Sequence, residues 1–134
     1  MTAPRSLGFL IHPGEEDLVR AGVQRAEACG FEVWTAVQGP EPAVNEHGED
    51  TALLITVGGD GTFLYGARLA GPRGIPVLGI NRGRLGFLTD VLITDLPGAI
   101  EAFAAGQFTT ERRTMISVVA EGPGQDDPLL MDVV

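Results

Sequence analysis

The sequence predicts an α/β fold, a Rossmann-like parallel sheet with helices on both faces, followed by the start of an antiparallel β region. Three observations carry this expectation. Over the first hundred residues, apolar runs of strand length alternate with stretches of helical periodicity, the pattern of parallel strands joined by helical crossovers. Leu7-Gly8-Phe9-Leu10-Ile11 and Leu53-Leu54-Ile55-Thr56-Val57 are almost continuously apolar, as strands covered on both faces must be. From Gln107 the helical pattern gives way to two strand-like segments separated by a glycine- and acid-rich turn.

Each element follows from local chemistry. The first strand, Leu7–Ile11, is broken by His12-Pro13-Gly14. Glu15, Glu16 and Asp17 then place acids where a first helical turn favours them, Val19, Val23 and Ala26 mark one helix face, and Gly30 is a natural C′ stop. Cys29, late in that amphipathic stretch, reads as a small core residue rather than a nucleophile. Phe31–Val37 is a second strand, with Trp34 as core or sheet-face packing. Gln38 to Asp50, rich in Pro, Gly and acids, is a surface excursion containing His47. A third strand, Ala52–Val57, enters the turn Gly58-Gly59-Asp60-Gly61-Thr62, and a helix over Thr62–Ala70 ends at Gly71-Pro72. Ile75–Ile80 is a fourth strand. Thr94 or Asp95 caps a helix carrying Leu96, Ala99, Ile100, Phe103 and Ala104. Met115–Ala120 and Pro128–Val134 are strands flanking a turn with Gly122-Pro123-Gly124 and Asp126-Asp127. The organisation expected is an α/β domain over 1–106, then strands over 107–134 that lead into a β domain absent from this chain. A chain that stops inside an apolar strand reads as a piece of something longer.

At 134 residues the chain suits one domain with a real core. Eighteen acids against nine bases, a net charge of −9, argue against a broad nucleic-acid surface. Every base is an arginine, and Arg68, Arg73, Arg82, Arg84, Arg112 and Arg113 are candidates for a local nucleotide-binding spot. One cysteine excludes an intramolecular disulfide. No basic start precedes a long apolar run, and no apolar stretch approaches the ~18 residues needed to cross a bilayer. A soluble, cytoplasmic protein is the expectation.

Chemistry concentrates in two segments that directly follow strands and so share one rim of a parallel sheet, where ligands gather. In Gly58-Gly59-Asp60-Gly61-Thr62, glycines can take positive φ and let a ligand approach the backbone. Exposed amides at a helix start can face a phosphate, and Asp60 can meet a substrate hydroxyl or a metal-bound water. The same five residues also suit a plain tight turn in which Asp60 or Thr62 caps a helix. The segment is neither the Gly-x-Gly-x-x-Gly dinucleotide fingerprint nor a Walker-type loop. In the second segment, Asn81 to Thr89, Phe87 can lie against a flat base while the backbone near Gly86 stays close to the ligand. Leu85 and Leu88 read as core residues. His12 follows a strand and can face the cleft, although a lone histidine is usually structural or solvated. Arg112 and Arg113 have Glu111 as a neighbouring partner.

Gly58-Gly59-Asp60-Gly61-Thr62, then Asn81-x-Gly83-x-Leu85-Gly86-Phe87-Leu88-Thr89, then Glu111-Arg112-Arg113 before a strand resemble the N-terminal domain of the NAD kinase family in order and spacing, over nearly the whole chain. The resemblance implies phosphoryl transfer from ATP or polyphosphate, with a divalent metal such as Mg²⁺, to the adenosine ribose 2′-hydroxyl of NAD, giving NADP. It implies that Asp60 engages that hydroxyl as the catalytic base and that Gly61 and Phe87 contact NAD. It further implies that Gly58, Gly59, Thr62, Asn81 and Gly86 belong to the substrate and nucleotide site. NAD and ATP are the implied ligands, without nucleic acid or membrane, and the family's habit is a homodimer or homotetramer. Where the family usually carries an Asn-Glu pair, this chain reads Met131-Asp132. Either the alignment slips there, or part of the nucleotide grip is replaced. The family continues into a β-rich domain, so this chain alone is expected to turn over little substrate. The rival readings are a lipid (diacylglycerol or sphingoid-base) kinase sharing the glycine turn, and a non-catalytic nucleotide-binding or assembly module.

Overall fold

A computed structural model describes residues 6–39, 50–84, 86–89, 91–120 and 129–133, the last four positions of 116–120 and all of 129–133 through their backbone only. Five parallel strands form the main sheet: β1 (Ser6–Ile11), β2 (Glu32–Val37), β3 (Thr51–Gly58), β4 (Val77–Asn81) and β5 (Val91–Leu92). Their order is β2-β1-β3-β4-β5. Two further strands, β6 (Ile116–Ala120) and β7 (Leu129–Val133), pair antiparallel, with Ile116 opposite Val133. Parallel sheet and antiparallel pair both match the sequence expectation. The two-residue β5 carries no strand signal in the sequence and was not anticipated.

Side-chain alternation along β1 and β3 divides the core into two layers. Leu7, Phe9 and Ile11 of β1 and Leu53, Ile55 and Val57 of β3 face one side with Ile80. There they meet α1 (Arg20–Ala28) through Ala26 and α3 (Leu96–Ala104) through Leu96 and Ile100. Leu10 and Leu54 face the other side with Trp34, against Ala70 of α2 (Asp60–Ala70). Burying each such side chain is worth about 1.5–3 kcal/mol, so the sheet faces dominate the stabilisation. Trp34 is buried as expected, its indole lying so close over Gly8 that a Cβ there would sit 2.2 Å from the ring. Its indole N–H donates to Thr51 at 2.9 Å.

Gly30 takes φ +92°, with its N–H on the Glu27 carbonyl and that of Phe31 on the Ala26 carbonyl. These paired bonds close α1 in a Schellman turn. Gly106, at φ +73°, ends α3 in the same way, through Gln107 N–H to Ala102. Other details depart from expectation. The acids Glu16 and Asp17 sit in a 3-10 turn (Glu16–Val19) that precedes α1 rather than in its first turn. Cys29 is exposed, because it is the C-cap beyond the last turn of α1 and no longer on the buried face. Neither Thr94 nor Asp95 caps α3 through its side chain; another 3-10 turn (Ile93–Asp95) feeds that helix, with Pro97 in its first turn. Strand β4 begins two residues late, since Ile75-Pro76 precedes it and Pro76 offers only its carbonyl, to the Leu54 N–H. The expected turn at 122–127, His47, Leu85 and most of the 38–50 excursion lie outside the described residues.

Candidate functional site

Because all five strands run the same way, their carboxyl ends form one rim, and the segments after β1, β3 and β4 meet there. The chain reverses its direction of sheet growth between β1 and β3, which sets a topological switch point, and so a crevice, between His12 and the glycine turn. His12 donates its backbone N–H to the Val57 carbonyl at 2.9 Å. Arg82, just past β4, gives its own N–H to the Gly58 carbonyl at 3.2 Å. Its guanidinium reaches Glu15 at 2.7 Å and lies 3.4 Å from His12 Nδ1. His12 does stand at the rim, with its ring also 3.0 Å from the Pro13 carbonyl oxygen.

Helix α2 begins at Asp60, two residues before the sequence expectation, with Gly59 as its extended N-cap. None of Gly58, Gly59 and Gly61 takes the positive φ expected of them. Space explains these glycines instead. A Cβ at Gly58 would lie 2.5 Å from the Thr62 hydroxyl and 3.1 Å from His12 Cβ. At Gly59 and Gly61 it would meet nothing within 4 Å, so bare backbone faces open space at the helix start. Thr62 is 2% exposed and its hydroxyl donates inward to Gln38 Oε1 at 2.9 Å, which leaves only its backbone to the rim.

Asp60 does more than point at the crevice. Its Oδ2 accepts the Phe87 N–H at 2.9 Å, and its Oδ1 accepts the Leu88 N–H at 3.1 Å and the Thr89 hydroxyl at 3.4 Å. The carboxylate therefore clips the two sequence segments together. Gly86 fits only because it has no side chain, since a Cβ there would be 2.3 Å from Asp60 Oδ1. The amides of Leu88 and then Phe87 hold the Asp60 carboxyl below its ordinary value of 3.8, with lesser help from the Thr89 hydroxyl and amide, against an opposing push from desolvation.

The rest of the second segment is a scaffold. Asn81, 8% exposed, accepts the Gly83 and Arg84 amides through Oδ1 at 3.0 and 2.8 Å and gives Nδ2 to the Thr89 hydroxyl at 3.0 Å. Phe87 is 100% exposed, its backbone fixed by Asp60 and its ring free. A phenyl ring held this way above a rim is available for stacking on a planar ligand. Leu88 is half-buried rather than core. Thr89 is the residue that sequence reasoning passed over. The available signal was a second polar residue eight positions after Asn81, closing a loop otherwise made of arginines, glycines and apolar side chains.

Met131 and Asp132 stand opposite Val118 and Ser117 in the β6–β7 pair, with side chains outside the description. Arg113 pairs with Glu111 at 3.1 Å, an exposed contact worth about 0–1 kcal/mol. A groove of about 440 Å³ runs between α1 and β2, walled by Val19, Val23, Thr35 and Val37 among others. Asp60, Asn81 and Phe87 are not among its walls.

The family model for the ATP-NAD kinase N-terminal domain matches residues 13–108, which span the rim loops and both glycine segments. The chain belongs to this family. Among NAD kinases, that of Heliobacterium modesticaldum is 44% identical over 101 residues, 73% of this chain and 36% of the relative. That of Bacteroides fragilis is 43% identical over 77 residues, 58% and 27% respectively. That of Cellvibrio japonicus is 35% identical over 120 residues, 82% and 40%. The matched region is thus well under half of each NAD kinase. The fold is also that of yeast NADH kinase, solved in complex with NADH, at a TM-score of 0.64 over 98% of this chain and 47% of that one, with 20% identity. Among the described residues, no helix is long and apolar enough to cross a membrane.

Proposed function

We propose that the protein carrying this domain phosphorylates the adenosine ribose 2′-hydroxyl of NAD to NADP, with ATP or polyphosphate as donor. The observation that carries the reading is Asp60, a half-buried carboxylate at the switch-point rim, clipped to the loop that presents Phe87. Family membership and the NAD kinase relatives support the same activity. In phosphoryl transfer the protein's part is mostly positioning and charge stabilisation. Asp60 accepts and orients the attacking hydroxyl, its lowered pKa making it a modest base. Phe87 stacks on the nucleotide, and the open backbone at Gly59 and Gly61 admits the phosphates beside the start of α2. Gly58, Thr62, Asn81 and Gly86 hold this arrangement from behind.

Among the described residues, no three His, Cys, Asp or Glu side chains gather as a metal cage. Mg²⁺ typically binds through one or two carboxylates with phosphate oxygens and waters, so the donor's phosphates could carry it to the rim, where it would supply charge neutralisation. The strands after residue 107 lead into a β-rich domain, and at the place of the family's Asn-Glu pair Met131-Asp132 either replaces part of the nucleotide grip or marks a slip of the alignment. The full-length protein acts as a cytoplasmic homodimer or homotetramer, and this chain alone turns over little NAD.

Asp60→Asn in the full-length protein is the direct test. NADP formation is expected to fall on the order of a hundredfold or more, and near-parental NADP formation removes Asp60 from the chemistry. A thermal shift with NAD and none with diacylglycerol separates this reading from a lipid kinase.

A further inference from the structure

Thr89 is fully buried, its methyl group packed where any Cβ on Gly79 would be 2.8 Å away. Among the described residues its hydroxyl has three polar neighbours: Asn81 Nδ2 at 3.0 Å, the Gly86 N–H at 3.3 Å and Asp60 Oδ1 at 3.4 Å. A hydroxyl owns one proton and two lone pairs. The Gly86 N–H can only donate. Asn81 must also donate, because its Oδ1 is fixed on the other side by the Gly83 and Arg84 amides, which sets the orientation of the side-chain amide. Both lone pairs are then taken, and the single proton has one acceptor left, Asp60 Oδ1.

This ordering makes the two carboxylate oxygens unequal. Oδ1 receives the Leu88 N–H and the Thr89 hydroxyl, while Oδ2 receives the Phe87 N–H at 2.9 Å, the Thr89 amide adding a weaker pull on the carboxylate. A carboxylate oxygen accepts about two hydrogen bonds, so Oδ2 keeps an open lone pair. We infer that Thr89 is a positioning residue for the phosphorylation: its hydroxyl, oriented by Asn81 and Gly86, fixes the rotation of the Asp60 carboxylate so that Oδ2 meets the sugar hydroxyl. The inference rests on the kinase reading above and names how its central group is aimed.

Thr89→Val keeps the shape and removes the hydroxyl; Thr89→Ser keeps the hydroxyl and removes the methyl. In the full-length protein, Thr89→Val is expected to lower kcat about fivefold, the weight of one ordinary net hydrogen bond. The KM for NAD should stay within about twofold, because the Phe87 and Leu88 amides still hold the loop on Asp60. Thr89→Ser should recover most of kcat. An unchanged kcat in Thr89→Val, equal impairment in Thr89→Ser, or a KM that rises in step with the loss of kcat overturns the proposal. If the parent protein makes no NADP, the kinase reading is what has failed. Hydrogen exchange at the Leu88 amide, which shares Oδ1, then decides this one, faster in Thr89→Val and restored in Thr89→Ser if it holds, and unchanged in Thr89→Val if it does not.

Discussion

In the proposed reaction Asp60 carries two duties that pull its chemistry in different directions. Anchoring the Phe87 and Leu88 amides favours the ionised form and so weakens it as a base, while the same bonds fix where it points. The pH dependence follows from the sign. A carboxyl whose pKa is lowered on folding stabilises the fold above the unfolded value, here 3.8, and loses that contribution as pH falls from 3.8 through the lowered value. The difference in thermal midpoint between the parent and Asp60→Asn should accordingly be present at neutral pH and shrink as the pH is taken below 3.8. Gly61 makes a complementary prediction. With open space at its Cβ position and no positive φ, Gly61→Ala should fold at least as stably as the parent, since alanine favours the helix by up to about 1 kcal/mol. It should nevertheless weaken NAD or ATP binding measured by calorimetry, because the added methyl meets only an incoming ligand. That Asp60, Gly86 and Phe87 share one rim was legible, because both glycine segments directly follow strands of a parallel sheet. The clip between Asp60 and residues 87–89 was not, because backbone amides from 27 and 28 residues away leave no mark on composition.

Helix α2 ties the site to the sheet, and Gly66 sets its depth. A Cβ there would lie 2.5 Å from Thr56 Cγ2 and 3.4 Å from Leu10 and Leu54 side-chain atoms. Alanine would gain about 1 kcal/mol in helix propensity, but overpacking against a stiff β-branched side chain costs about 1–3 kcal/mol. Gly66→Ala should therefore be net destabilising in denaturant melts, and should lower activity by lifting the helix start that holds Asp60. The elements themselves were mostly readable. Gly30 ended α1 where its lack of a side chain permits φ +92°, and continuous apolar runs placed β1 and β3. Boundaries failed where local pattern gives no signal, as with the 3-10 turns before α1 and α3 and the two residues of β5.

The whole molecule rests on β3, the central strand, covered on both faces. Leu54 is fully buried among Leu10, Trp34, Ala70 and Ile75, and Leu54→Ala should cost about 2–5 kcal/mol, read from chemical denaturation. At this scale the sequence conveyed the parallel sheet through its strand–helix alternation, but not the order β2-β1-β3-β4-β5 that puts the switch point beside the glycine turn.

The rim joins parts of the chain that are distant in sequence: Arg82 meets Glu15 and His12 across 67 and 70 residues, and Asp60 meets Leu88 across 28. Contacts of such long range carry the loop-closure cost first and form late. During synthesis the ligand-facing edge therefore cannot be assembled until β4 and the loop after it have emerged and docked. Ligand-binding loops held by few buried apolar contacts lie at the low-stability end of a fold, so loss of ligand grip should precede loss of the hydrophobic layers beneath it.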